Sequence, residues 1–142
     1  GNLPRVKKTV LCGVLITVTC SATLGALSAI FSGQLAGIMS DSSTIIAYAK
    51  QKMIITSIPY FIAGVNELMS GVLRSIGKPI VPTVTSLLFI FLLRFAWVYV
   101  AFPLYPNLGF LYLVWPIGWL LSLTVHLIVY LRQIKRLQKQ AS

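Results

Sequence analysis

Three ionisable residues lie inside long apolar stretches of the sequence: Glu67, Arg94 and His126. Placing a charged side chain in the hydrocarbon of a bilayer costs about 2.5 to 3.5 kcal/mol, so such residues are candidates for functional sites. A carboxylate or an imidazole that is shielded from water can exchange a proton or bind a cation. We therefore predict Glu67 and His126, with the neighbouring Asn66, as candidates for proton or cation coupling. The alternative is a structural role in which each side chain is hydrogen-bonded inside a helix bundle.

The depth of each group follows from the helical rise. Glu67 and His126 each precede a basic residue by six or seven positions, which places both about 10 Å from that end of their helices. Arg94 lies about 21 Å from the same boundary and therefore nearer to the opposite surface. We interpret Arg94, like Arg74 and Lys78, as a structural or anchoring charge that reaches toward the membrane surface.

The composition excludes several classes of function. Hydrophobic residues make up 57% of the chain and charged residues 10%, and the mean hydropathy is +0.88, so lipid is the expected solvent. The net charge of +10 comes from short basic clusters without interleaved aromatic residues, so we expect no nucleic-acid partner. Because Asp41 and Glu67 are the only acids and His126 is the only histidine, we expect no enzyme, no metal site and no cofactor beyond a coupling ion.

Four apolar segments are long enough to cross the hydrocarbon as helices, which takes roughly 20 residues. Glycine, proline and basic residues separate them, and Pro59 and Pro116 allow kinks within them. Strands are not expected, because these segments are apolar on every face. The sequence therefore predicts an all-α membrane protein with four transmembrane helices. The predicted spans are about 10–39, 53–73, 80–102 and 109–131, followed by a basic tail at 132–142.

The basic residues also predict the orientation. Four spans place both ends of the chain on one side of the membrane, and most lysines and arginines lie on that side. The opposite side has only Lys50 and Lys52 outside the spans. Since cytosolic loops are enriched in basic residues, we expect both ends to be cytosolic in a plasma-membrane protein. The residues on the basic side are Arg5, Lys7, Lys8, Arg74, Lys78, Arg132, Lys135, Arg136 and Lys139.

The first span carries a small residue at every fourth position from Gly13 to Gly37. Small side chains let membrane helices approach closely and gain van der Waals contacts. We predict that Gly25, Ala29 and Gly33 pack this helix against its neighbours.

The loop after the second span contains a motif made of Gly71, Leu73, Arg74, Gly77, Lys78 and Pro79. It follows Asn66 and Glu67 and precedes Pro82 and Arg94. This motif resembles one found in the multidrug and toxic compound extrusion (MATE) transporters, and the basic opening at 1–8 resembles the loop before the ninth helix of that family.

This resemblance implies an antiporter of twelve helices in two six-helix lobes. Such a protein exports cationic or amphipathic compounds against an inward Na⁺ or H⁺ gradient. The present chain looks like the last four helices of the second lobe. Some members of the family carry an acid in the tenth helix, which corresponds to the helix of Glu67. The expected partners are the lipid bilayer, the remaining helices of the same transporter and small organic cations or amphipathic substrates.

Two other functions remain open from the sequence. A flippase for lipid-linked saccharides belongs to the same superfamily and would need a cationic groove. A small stand-alone membrane scaffold subunit would instead use the small residues of the first span to form oligomers.

Overall fold

The computed structural model describes residues 3–141, which form helices and no strand. This confirms the all-α class. Gly1 and Asn2, in the basic opening, and Ser142, in the predicted tail, lie outside the described residues. The helices are α1 (Leu3–Ile30), α2 (Ser32–Met39), α3 (Ser43–Ser57), α4 (Tyr60–Ser75), α5 (Ile80–Ala101), α6 (Leu108–Tyr112) and α7 (Val114–Ala141).

Three helical stretches of the described chain are long and apolar enough to cross a membrane without a sharp bend. They are Pro4–Ile30, Ile80–Ala101 and Leu108–Lys139. Helices α3 and α4 pass the same test together, with a bend of 53° between them. The number of spans is therefore four if this bent pair crosses the membrane as one broken span.

The second span differs most from its predicted range of 53–73. The helix begins ten residues earlier, at Ser43, and is broken at Ile58 and Pro59. Proline has no N–H to donate and its ring clashes with the preceding turn, so the helix cannot continue straight through this position. Lys50 and Lys52, which we expected in the loop before the span, lie on α3 instead.

The first span, predicted at 10–39, is also divided. Helix α1 starts at Leu3 and a single turn at Phe31 separates it from α2. The Phe31 N–H still donates to the Leu27 carbonyl at 2.9 Å, and the Leu35 N–H donates to the Phe31 carbonyl at 3.0 Å. The interruption is therefore local.

The last span, predicted at 109–131, continues as a helix through most of the predicted tail and reaches Ala141. Its interruption lies at Leu113, before Pro116. Pro116 is the third residue of α7, where a backbone N–H has no partner within the helix, so proline is tolerated there.

Helix α4 lies at the centre of the bundle and packs against α1, α5 and α7. Its contact with α1 depends on small residues. A side chain at Gly64 would collide with Ser21 of α1, and one at Gly25 would collide with the Ser57 carbonyl. A side chain at Gly33 would point into open space, since a Cβ added there meets no atom of another helix within 4 Å.

The loop between α4 and α5 is closed by a glycine cap. Gly77 has a φ of 78°, which is the left-handed conformation that favours glycine. The Lys78 N–H donates to the Leu73 carbonyl at 2.9 Å, and the Gly77 N–H donates to the Arg74 carbonyl at 3.2 Å. This pair of hydrogen bonds defines a Schellman cap, and Pro79 follows because the helix has already ended. The cap sets the direction in which α5 leaves α4.

Helix α5 contains two π-helical stretches, Leu87–Leu92 and Trp97–Ala101. Gly118 of α7 faces the first of them, and a Cβ added there would lie 2.9 Å from the Phe89 carbonyl. The absence of a side chain at Gly118 thus lets α7 approach α5 closely.

Candidate functional site

Five buried polar side chains lie where α4, α5 and α7 meet, and we call them the polar cluster. None is more than 4% exposed, although α4 and α7 are otherwise lined with apolar residues. Two pairs are spaced by four residues and therefore share a helix face. The members are Asn66 and Ser70 on α4, Thr85 on α5, and Ser122 and His126 on α7.

A hydrogen bond between α5 and α7 fixes the histidine. Thr85 Oγ1 lies 2.7 Å from Nε2 of His126. The same hydroxyl lies 2.9 Å from the Val81 carbonyl and 3.1 Å from the Pro82 carbonyl. The direction of the bond between Thr85 and His126 follows the tautomer of the imidazole. With the proton on Nε2 the hydroxyl accepts from the ring and donates to its own helix, and with the proton on Nδ1 the hydroxyl donates to Nε2.

Three atoms of the polar cluster have no hydrogen-bond partner among the described residues: Nδ1 of His126, Oδ1 of Asn66 and Oγ of Ser122. Buried polar atoms are normally paired, and leaving one unpaired costs about 1 to 3 kcal/mol. The main-chain carbonyl of Asn66 also faces the imidazole, although Nδ1 reaches no hydrogen bond of standard geometry in this conformation. The cluster therefore gathers polar atoms with unused hydrogen-bonding capacity at one place in the bundle.

Glu67 does not enter the polar cluster. It follows Asn66 on α4 but is exposed on the outer face of the described bundle, and it makes no hydrogen bond with a described residue. Its charge and that of Arg74, also on α4, are close enough to act on His126. Of the three predicted coupling candidates, the structure brings Asn66 and His126 together and places Glu67 beside them.

Arg94 lies away from the polar cluster. Its guanidinium stacks on the indole of Trp115, with Cζ 3.7 Å from the ring centroid. The ammonium of Lys52 lies 5.5 Å from the centroid of the same ring. A cation over an aromatic face is stabilised by the ring quadrupole, which accounts for a half-buried arginine that has no carboxylate partner.

The remaining predicted charges lie at the opposite end of the bundle. Arg74 is exposed in the last turn of α4, and Lys78 is half-buried just after the glycine cap. Arg5 of α1 lines the same surface groove as Ile76. The start of α1 and the end of α4 therefore lie side by side. The prediction that these charges share one side of the membrane requires this placement.

The predicted packing residues have different surroundings. Gly25 is buried against α3, Ala29 is half-buried, and Gly33 is half-buried beside open space.

Sequence reasoning missed Thr85 and Ser122. Ser122 precedes His126 by one helical turn, so the spacing alone would have put both on one face of α7. Nothing in the sequence links Thr85 to His126, because 41 residues separate them.

Comparison with family models gives a match to the family described as MatE over residues 1–100. The match includes α1 to α4 and almost all of α5, and therefore Asn66, Glu67, Thr85 and Arg94. Ser122 and His126 lie beyond it. Comparisons with curated proteins and with solved structures give no match.

Proposed function

Because this chain belongs to the MatE family, we propose that it forms part of a secondary active transporter that exports drugs or other toxic organic compounds. Export would be driven by the inward movement of Na⁺ or H⁺. We further propose that the protein lies in the plasma membrane with both ends of this segment in the cytosol, as the basic residues predict. Its partners would be the bilayer, the other helices of the transporter and cationic or amphipathic substrates.

The observation that carries this proposal is the polar cluster between α4, α5 and α7. A helix bundle with no transport role would be expected to pair the side chains that it buries. In this proposal the neutral imidazole of His126 carries its proton on Nε2, so that the unpaired Nδ1 takes up a second proton and donates it in a hydrogen bond to the Asn66 carbonyl. Proton binding would therefore tighten the contact between α4 and α7.

The donor set favours H⁺ over Na⁺ as the coupling ion at this position. Sodium bound away from water is best held by several oxygen ligands that include a carboxylate. The cluster offers Asn66 Oδ1 and Ser122 Oγ, whereas Glu67, the only carboxylate on these helices, faces outward. We assign Glu67 the role of a second protonatable group, which exchanges protons with His126 from the surface of the described bundle.

The test is transport by the full gene product in proteoliposomes, with ethidium as the probe and with pH and sodium gradients imposed separately. We expect His126→Gln to lower proton-driven efflux on the order of tenfold, the size of a typical coupling between two sites. Glutamine retains a donor for Thr85 but takes up no proton. Glu67→Gln should shift the dependence of efflux on pH.

Thr124→Val is the matched control for His126→Gln. Thr124 is exposed on the same helix and its hydroxyl bonds only to the Leu120 carbonyl, at 2.7 Å. Efflux by this variant should equal that of the unmodified protein. Unchanged efflux by His126→Gln under a pH gradient would remove His126 from the mechanism, and an unchanged pH profile for Glu67→Gln would remove Glu67.

The second candidate is a flippase for lipid-linked saccharides. The observation that favours it is the pair of cations, Arg94 and Lys52, at Trp115, because such substrates carry phosphate. A stand-alone scaffold has less support, since Gly25 and Gly64 are already used to pack α1 against its own chain. Proteoliposomes that move neither ethidium nor a lipid-linked saccharide would favour the scaffold.

A further inference from the structure

A pocket of about 470 Å³ opens in the half of the bundle that lies away from the basic end. It is bounded by α1, α3, α4 and α7, beside the break between α3 and α4. Its walls combine aromatic rings, hydroxyl groups and one ammonium group. The lining residues used below are Ser28, Lys52, Thr56, Tyr60, Trp115 and Trp119.

The aromatic rings of the pocket support one another. Tyr60 and Trp119 meet edge to face, with centroids 6.1 Å apart. Trp119 and Trp115 meet in the same way at 6.5 Å. Three rings from two helices therefore form an apolar wall that suits a flat or chain-like hydrocarbon body.

The charge of the pocket is positive. Lys52 lies on its wall, and Arg94 stacks on Trp115, which forms the same wall. None of the described lining residues is acidic, and the only acids of the chain, Asp41 and Glu67, are not among them. The indole ring of Trp115 stabilises both cations, but the N–H groups of Lys52 and Arg94 still have unused capacity to donate hydrogen bonds.

We infer that this pocket binds an amphipathic organic anion. The apolar body of the ligand lies against Tyr60, Trp115 and Trp119. Its carboxylate, sulfonate or phosphate accepts hydrogen bonds from Lys52, within the positive field of Arg94. Organic cations bind this pocket less well, because Lys52 and Arg94 repel a like charge. The inference goes beyond the proposed function, because it adds an anionic ligand at this pocket, whereas a cation such as ethidium would bind elsewhere in the transporter. Binding of the anion does not rest on transport.

The experiment compares three probes that share one body and differ in charge: 2-naphthylacetate, 2-naphthylacetamide and 2-(2-naphthyl)ethylammonium. Binding of each tritiated probe to the full gene product is measured by equilibrium dialysis in nanodiscs of phosphatidylcholine, with empty nanodiscs subtracted. We expect the carboxylate to bind about tenfold more tightly than the amide, because a hydrogen bond to a charged group is stronger than one to a neutral group. The ammonium probe should bind least.

Lys52→Gln and Lys50→Gln are matched variants, since both lysines are exposed on α3 but only Lys52 lines the pocket. Lys52→Gln should weaken the carboxylate about tenfold and leave the amide unchanged. Lys50→Gln should change neither. Equal affinity for the carboxylate and the amide, or an equal loss in both variants, would overturn the inference.

A second arm identifies the source of the anion. Nanodiscs that contain phosphatidylglycerol are compared with neutral ones. If a lipid headgroup occupies the pocket, the anionic lipid weakens naphthylacetate binding in the unmodified protein more than in Lys52→Gln. If the natural ligand is a soluble anion, the two proteins respond equally to the lipid.

Because binding is measured without any ion gradient, its outcome is independent of the coupling experiment. If the unmodified protein binds the anion but shows no proton-driven efflux, the proposed function alone is contradicted. If it shows proton-driven efflux but binds the carboxylate no better than the amide, the inference about the pocket alone is contradicted.

Discussion

The polar cluster and the pocket beside Trp115 both include residues of helix α7, but their polar groups differ in charge and in exposure. His126 and Trp115 are eleven residues apart, about 16 Å along the helix. The imidazole is 1% exposed and hydrogen-bonded to Thr85, and Asn66 Oδ1, Ser122 Oγ and its own Nδ1 have no partner among the described residues. At Trp115 the polar groups are cations, they lie at an open surface, and aromatic rings face them.

This difference indicates that the two regions select ligands of opposite charge. A closed site with unpaired acceptors is completed by a proton or a small cation. An open site with unpaired donors on an aromatic wall is completed by an anion that carries an apolar body. In one transporter segment, the coupling ion and the organic anion would therefore contact the same helix at different depths. If the two regions are separate, each can be disrupted without the other.

The largest expected effect comes from Gly25→Val, which disrupts the pocket wall. A Cβ at this position collides with the Ser57 carbonyl, so α1 and α3 must separate. We expect a loss of about 3 kcal/mol in stability, in the range measured for overpacked sites. The measurement is thermal unfolding of the full gene product in detergent.

Gly33→Val is the control for this variant, because Gly33 has open space around it. Both changes replace glycine with the same residue in a helix. The difference in stability between the two variants therefore measures the cost of the collision at Gly25. Similar stability of the two variants would show that α1 does not depend on the close approach at Gly25.

The sequence predicted the helices that carry the polar cluster, because the apolar segments and the Gly77 turn follow from local chemistry, but it placed Lys52 of the pocket in a loop. It also predicted that Glu67 and His126 lie at one depth, since depth depends only on the helical rise. It did not predict which face of α4 is buried. Asn66 and Glu67 both lie on the polar side of this helix, and contacts with α1 and α7 decide that Asn66 points inward and Glu67 outward.

The ends of the broken span were predicted less well for a related reason. Helix α3 continues through Lys50 and Lys52, which are polar but good helix formers, so the helix is longer than its apolar segment. The contact between Arg94 and Trp115 joins two different helices and has no local signature in the sequence.

An intermediate effect is expected from Thr85→Val, which disrupts the polar cluster while keeping the shape of the side chain. Nε2 of His126 then loses its hydrogen-bond partner in a buried position, which costs about 2 kcal/mol. We expect thermal stability to fall accordingly and naphthylacetate binding at the pocket to remain unchanged. Both can be measured on one sample in nanodiscs.

Thr83→Val is the matched control, since Thr83 is exposed on α5 and bonds only to the Pro79 carbonyl, at 3.0 Å. Its stability should equal that of the unmodified protein. If Thr85→Val instead weakened anion binding, the two regions would form one site.

The smallest expected effect is the gain from Ser122→Ala. The Ser122 hydroxyl is 1% exposed and has no partner among the described residues, so its removal eliminates an unpaired polar atom. We expect stability to rise by about 1 kcal/mol in a buffer without sodium. Ser28→Ala, on the wall of the open pocket, provides the comparison, because both changes bring the same gain in helix propensity. If Ser122→Ala lowered stability only when sodium is present, the cluster would bind Na⁺ through this oxygen. The ligand of the polar cluster would then be Na⁺ and not a proton. The cluster and the pocket would still select opposite charges, but the cation would be a metal ion.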